Sequence, residues 1–195
     1  MIEILLASNN EGKIKEYEDL LKDYPVKLYL LKDLNIVSDP EENGNSYIEN
    51  ALIKVRALKN KTNLYILGDD SGVEFEALGS HFPGIHTHRY ALENGGNELL
   101  NPKLAKEIGG SKATFYCALA LITPNKEEYT FLGEVKGSVA KHVEGKNGFG
   151  YDPIFIIDGF KHPNAYYSEE IKNKNSHRAK AVMSLISFFK EKNIF

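Results

Sequence analysis

Asp69 and Asp70 stand side by side, after apolar Leu64, Ile66 and Leu67, which read as the end of a buried strand, and before Ser71 and Gly72. Two carboxylates so close do not both stay ionised unaided, so they call for a cation or a proton. Mg²⁺ is a natural partner, a hard ion that takes carboxylate oxygens together with substrate phosphates. The competing reading is a surface turn, because Asp, Ser and Gly are ordinary turn residues. A second group comes earlier: Ser8, Asn9, Asn10, Glu11, Gly12 and Lys13, followed by Ile14, Tyr17, Leu20 and Leu21 at helical spacing. Backbone N–H groups and the positive dipole end at such a helix start suit a phosphate, and Lys13 adds a point charge. The G-x-x-x-x-G-K-[ST] spacing is absent, so this is not a P-loop. A simple N-cap with a solvated lysine is the alternative.

Two further groups lie in the second half. Gly148, Phe149, Gly150, Tyr151, Asp152 and Pro153 follow Gly145. An aromatic ring on a glycine-rich loop can stack on a base, a contact worth about 1–3 kcal/mol. Otherwise it is a hydrophobic plug under a loop. Ser176, His177 and Arg178 begin a run with the apolar face Ala181, Val182, Leu185, Ile186 and Phe189. Ser176 reads as the N-cap of that helix. Two cations at a helix N-terminus are badly placed unless an anion or an acceptor edge is expected there. The plainer reading is an exposed basic pair. His81, His86 and His88 surround Pro83 and Gly84. They lack the spacing and third ligand of a zinc site and read as loop surface.

These groups need elements to hold them. Open α/β sheets place their chemistry just past the carboxyl ends of strands. Residues 2–7 read as a strand, and 26–31 as another. Residues 38–45 form an acidic loop containing Glu41 and Glu42. A helix over 46–59 follows, with Tyr47, Ala51, Leu52, Val55 and Leu58 on its apolar face and Glu49, Lys54, Arg56 and Lys59 largely elsewhere. Residues 98–108 read as a helix ended by Gly109 and Gly110. Residues 113–123 and 129–140 are two β-rich runs, expected as an antiparallel hairpin. Gly133 and Gly137 in the second suggest a bulge or a close backbone approach. Residues 154–157 read as a buried strand.

The chain has 195 residues, enough for one domain or two tightly packed lobes. Its net charge of −3 argues against a dedicated nucleic-acid binder. Cys117 is the single cysteine, so no internal disulfide forms and a cytoplasmic setting is expected. No apolar run reaches membrane-span length, and Glu3 near the start is unlike a basic leader. No membrane or nucleic-acid partner is expected.

The four groups, in this order and with these gaps, resemble the inosine triphosphate pyrophosphatase family over almost the whole length. The loop before Glu49-Asn50-Ala51 and the run from Ala77-Leu78-Gly79 to Pro83-Gly84 extend the likeness. The resemblance implies an α/β fold: an elongated mixed sheet with flanking helices, two lobes around a central cleft, and a homodimer. It implies hydrolysis of dITP, ITP and XTP to the monophosphate and pyrophosphate. By motif, Ser8, Asn9, Asn10, Glu11, Gly12 and Lys13 would bind the triphosphate. Asp70, or its neighbour Asp69, would accept the proton of water. Asp70 would also hold Mg²⁺, with Glu41 as second metal residue and Glu42 or Glu49 as close alternatives. Ser71 would contact substrate. Phe149, Gly150, Tyr151 and Asp152 would line the base pocket, completed by Lys172, His177 and Arg178. The chain departs from the family pattern at Thr87-His88-Arg89-Tyr90 and at Ala165-Tyr166-Tyr167-Ser168. Two other functions stay open: a Maf-like pyrophosphatase of modified pyrimidine nucleotides, and a non-catalytic nucleotide- or RNA-binding module.

Overall fold

The computed structural model describes all residues, Met1–Phe195. Six strands form one mixed sheet: β1 (Ile2–Leu6), β2 (Val26–Leu30), β3 (Tyr65–Phe75), β4 (Lys112–Ile122), β5 (Glu128–Val139) and β6 (Phe155–Ile157), in the order β2-β1-β3-β4-β5-β6. β1 pairs parallel with β2 on one side and with β3 on the other. β5 and β6 pair antiparallel. β4 and β5 are neighbours joined through residues 123–127, where Thr123 N donates to Glu127 O at 2.9 Å. So short a connection requires antiparallel strands, as the expected hairpin does. The helices are α1 (Glu11–Leu21), α2 (Tyr47–Arg56), α3 (Thr87–Glu93), α4 (Asn97–Ile108), α5 (Glu169–Asn175) and α6 (His177–Glu191).

The chain divides into two compact units. The first comprises Met1–Asp70, Cys117–Gly133 and Arg178–Phe195. Its sheet is covered on both faces. Ile4, Leu6, Leu67, Cys117, Leu119 and Leu121 pack with Tyr17 and Leu21 of α1 and with Val182, Leu185 and Phe189 of α6. Leu5, Ile66, Ala118, Ala120 and Ile122 pack with Ala51, Val55 and Leu58 of α2. Successive strand residues thus feed opposite faces, and a strand buried on both reads as an unbroken apolar run. The second unit comprises Ser71–Tyr116 and Glu134–His177. Its core gathers Val73, Phe75, Leu100, Leu104, Phe115, Val135, Val139, Tyr151 and Phe155.

Local chemistry explains the element starts. Ser46 caps α2, its side chain accepting from Glu49 N at 3.1 Å, while Glu49 Oε2 accepts from Asn45 N at 2.6 Å. The close approach expected at Gly137 is present: a Cβ there would lie 2.1 Å from Ile156 O. Two expectations are corrected. β3 does not end before the paired acids but continues to Phe75. His88 lies on α3 rather than on a loop, because Thr87 Oγ1 donates to Gly84 O and accepts from Val73 N, anchoring a helix start there. A short helix, α5, which the sequence did not mark, ends at Asn175; Ser176 follows in extended conformation directly before α6, at the N-cap position expected for it.

Candidate active site

β1 and β3 stay paired as far as Leu6 and Leu67, and Ala7 N makes the last bond to Leu67 O at 2.7 Å. The β1 chain then leaves through residues 8–10 into α1. β3 runs on past that end, so Asp69 and Asp70 lie within a strand yet just beyond the carboxyl end of its parallel pairing. Both are nearly buried, at 1% and 6% exposure.

The two acids have different surroundings. Asp69 accepts from Lys13 Nζ at 3.3 Å and from Arg178 Nε and Nη2 at 3.4 and 3.2 Å, with Cys117 Sγ at 3.8 Å. Burial opposes its charge, but Lys13, Arg178 and Lys54 outweigh burial and hold the carboxyl well below the usual carboxylate range. Arg178 is itself buried and also bonds Glu16 through Nη1. Burial disfavours the guanidinium charge, and Asp69 and Glu16 more than compensate. Cys117 is the reverse case: burial pushes its thiol up to about 12, so it is inert core.

Asp70 is less well compensated. Its nearest cation is Lys54, with Nζ 3.6 Å from Oδ1, and Asn50 Nδ2 donates to Oδ2 at 3.3 Å. Burial pushes its carboxyl up to about 6; Lys54 and Lys13 pull it down, while Glu42 and Asp69 push it further up. Lys54 Nζ also donates to Asp69 O at 2.8 Å and meets Glu42 Oε1 at 3.0 Å. Burial disfavours the Lys54 charge, yet the acids around it keep its pKa raised. Asn50 and Lys54 are four residues apart on α2 and so share a face. Sequence reasoning placed Lys54 on the polar surface and missed Asn50 and Glu16. Their signal was spacing: i, i+4 on α2, and one turn after Lys13 on α1.

The loop before α1 combines both readings offered for it. Asn10 caps the helix, accepting from Lys13 N at 3.0 Å, and Ser8 Oγ accepts from Asn10 N at 3.2 Å. Asn9 Nδ2 donates to Ser38 O at 3.2 Å, and Glu11 and Gly12 form the first turn. Lys13, however, is turned onto Asp69 rather than solvated.

In the second unit, Asp152 and Lys172 form a buried pair at 2.6 Å. Phe149 is 38% exposed, with Lys172 Nζ 5.0 Å from its ring centroid. Gly150 has a φ of 61°, and its carbonyl accepts from Asn101 Nδ2 at 2.9 Å. Tyr151 is core: its hydroxyl donates to Thr87 O at 2.9 Å and burial raises its pKa. His177 is buried and stacks on Phe115 at 4.6 Å, so the exposed basic pair does not exist. Ser71 follows Asp70 in β3 and is half-buried.

For a divalent metal the relevant observation is the donor set. Asp70 and Glu42 both present hard carboxylate oxygens to one ammonium, that of Lys54. No group of three or more His, Cys, Asp or Glu side chains stands together. Such a set fits Mg²⁺, which binds through one or two carboxylates and takes its remaining oxygens from phosphates and water. Glu41 is exposed, its carbonyl accepting from Asn43 N at 3.2 Å, and Glu49 serves the α2 cap. His81 bonds Glu74 Oε2 at 3.1 Å.

The model of the Ham1 family matches residues 4–188. A protein of Thermoanaerobacter pseudethanolicus named dITP/XTP pyrophosphatase is 41% identical over 193 residues, covering 96% of each chain. One of the same name from Staphylococcus aureus Mu50 is 38% identical over 198 aligned positions, covering all of both. Among solved structures, the Ham1 protein of Staphylococcus aureus superposes with a TM-score of 0.82 at 36% identity, covering 97% of this chain and 99% of that one. A HAM1 protein from Coxiella burnetii gives 0.84 at 35%, covering 98% and 100%.

Proposed function

Because the chain belongs to the Ham1 family, we propose that it hydrolyses the non-standard purine nucleotides dITP, ITP and XTP to the monophosphate and pyrophosphate. The observation that carries this reading is the divergence of two adjacent carboxylates, Asp69 held ionised and Asp70 raised to about 6. Titratable neighbours pushed apart in this way take different parts in acid–base chemistry.

Asp70 takes a proton from the water that attacks the α-phosphorus, and the bond to the bridging oxygen breaks, releasing pyrophosphate. A base with a pKa near the working pH is best suited to that transfer. Asp69 holds Lys13 at the start of α1, where an ammonium and helix N–H groups together meet phosphate charge. Lys54 keeps Asp70 and Glu42 from repelling each other. Asp70 with Glu42 or Glu41 would hold Mg²⁺, which when bound screens phosphate charge against the approaching nucleophile. Ser8, Asn10 and Ser71 contribute polar contacts to the substrate, and Phe149 stacks on the base. Lys172, His177 and Arg178 read its edge. An oxygen at the 6-position accepts from such donors, whereas the amino group of adenine opposes them, which can discriminate by roughly 10⁴-fold.

The proposal includes a homodimer, checked by sedimentation velocity, and a cytoplasmic setting. No helix is long and apolar enough to cross a membrane. The deciding experiment is pyrophosphate release from ITP, XTP, dITP, ATP, GTP and a modified pyrimidine triphosphate, each with and without Mg²⁺. The expected result is Mg²⁺-dependent release favouring the first three. Preference for the pyrimidine, or binding without turnover, overturns the reading.

A further inference from the structure

The loop that carries Phe149 rests on the segment after β6. Lys146 N and Asn147 N donate to Ala165 O at 3.0 Å each, and Asn147 Nδ2 donates to Tyr167 O at 2.8 Å. Gly148 N donates to Glu169 Oε1 at 3.1 Å. Behind this seam lies Asn164, buried at 4% exposure and marked by no motif. Its Nδ2 donates to Asp152 Oδ1 at 3.3 Å, and the next residue's amide, Ala165 N, donates to Asp152 O at 3.0 Å. The other carboxylate oxygen, Asp152 Oδ2, accepts from Phe149 N at 3.0 Å and from Lys172 Nζ at 2.6 Å.

The family likeness places Asp152 among residues lining the base pocket. Its carboxylate is instead buried against protein donors on both oxygens. A buried ion pair holds one geometry only when its remaining lone pairs are satisfied by further hydrogen bonds. Phe149 N and Asn164 do that here. Asn164 therefore controls which way the carboxylate faces, and the carboxylate controls two things that matter to a base: the Phe149 backbone and the Lys172 ammonium.

We propose that Asp152 and Asn164 are positioning residues for base recognition: Asn164 orients the Asp152 carboxylate, which fixes Lys172 Nζ and the Phe149 loop together. The inference rests on the reading of the chain as a purine nucleotide pyrophosphatase. The cluster acts on nucleotide binding and leaves the cleavage step to the Asp70 group.

Asn164→Leu keeps the number and branching of the side-chain heavy atoms and removes the donor. Asn164→Asp keeps the shape and turns a carboxylate onto Asp152. The expected result is a rise in KM for ITP of about 5-fold for Asn164→Leu, the scale of one lost hydrogen bond, and a larger rise for Asn164→Asp, with kcat within about twofold. In a Lys172→Met background, Asn164→Leu should raise KM less than in the native protein, because part of its effect passes through Lys172. Asn164→Ala supplies the same comparison should the leucine variant not fold. An unchanged KM, or a rise that persists undiminished without Lys172, overturns the proposal and leaves Asn164 as packing. The ¹⁵N signal of the Lys172 ammonium gives a readout that needs no turnover. It should be protected from water exchange in the native protein and lose that protection in Asn164→Leu. If the native protein releases no pyrophosphate from any purine nucleotide, the functional reading fails, and this signal alone decides the positioning role: unaltered protection overturns it.

Discussion

Asp70 and Asp152 are both buried acids facing a lysine, and they are held in opposite ways. Asp70 stands 3.6 Å from Lys54 Nζ and shares that ammonium with Glu42. Asp152 meets Lys172 at 2.6 Å and accepts further bonds from Phe149 N and Asn164. The first acid is raised to about 6 and so changes charge near neutral pH. The second is locked into a bonded network. Loose compensation in a dry site leaves a proton to be moved, whereas dense hydrogen bonding fixes geometry.

The largest expected effect tests the first half of that contrast. Asp70→Asn should lower kcat by about 10²- to 10⁴-fold, the usual range for a lost general base. It should also raise stability. The folded-state value of about 6 lies above the ordinary carboxylate value, so ionising Asp70 opposes folding. That penalty is absent below about pH 4, grows as pH rises and is complete above about pH 6, worth at most about 3 kcal/mol. Thermal melts at pH 5 and pH 8 should therefore show the variant gaining most at pH 8. Retained turnover, or a variant less stable at pH 8, would make Asp70 a structural acid like Asp152.

Gly148→Ala tests the second half. Gly148 has a φ of 74°, and a Cβ there would lie 2.1 Å from Asp152 Oδ2. The substitution should cost about 1–3 kcal/mol of stability and raise KM for ITP more than it lowers kcat. Steady-state kinetics with a denaturant titration separates the two effects. An unaltered KM would uncouple the Phe149 loop from base binding.

A smaller effect concerns pH alone. In the native protein, log(kcat/KM) should rise from pH 5 and level off above about pH 6, following ionisation of Asp70. Lys54→Met should move that midpoint upward, because the ammonium favours the ionised form. A midpoint unmoved by the substitution would remove Lys54 from the tuning of Asp70. Smallest is Ser46→Ala, which deletes the cap of the helix carrying Asn50 and Lys54. It should lower stability by about 1 kcal/mol with KM nearly unchanged, read by denaturant melts and kinetics together.

Much of this site was legible in residue types. Lys13 after a polar loop, the Asp69-Asp70 pair and the Gly148-Phe149-Gly150 turn each carry a chemical signature in a few adjacent letters. The strands β1 and β4 were legible too, as apolar and β-rich runs, whereas the covering of both their faces came from packing. Lys54, Asn50 and Glu16 were not, because a polar residue on an amphipathic helix looks solvated until something packs against that face. Asn164 carried no signal, since one asparagine in a loop resembles any other. Nor do the motifs of Tyr151 and His177 say that their rings pack against Phe75 and Phe115.

Composition and strand and helix periods marked out most of the elements, and the ordered motifs, through the family resemblance, pointed to a mixed α/β sheet and to the groups proposed to do its chemistry, because those properties are local to a few residues along the chain. The separation of Asp69 from Asp70 came only from tertiary packing. Adjacent residues on a strand point to opposite faces, and what waits on each face is brought by α1, α2 and α6 from elsewhere in the sequence. Lys13 and Arg178 on one side and a shared Lys54 on the other gave chemically identical side chains different proton affinities.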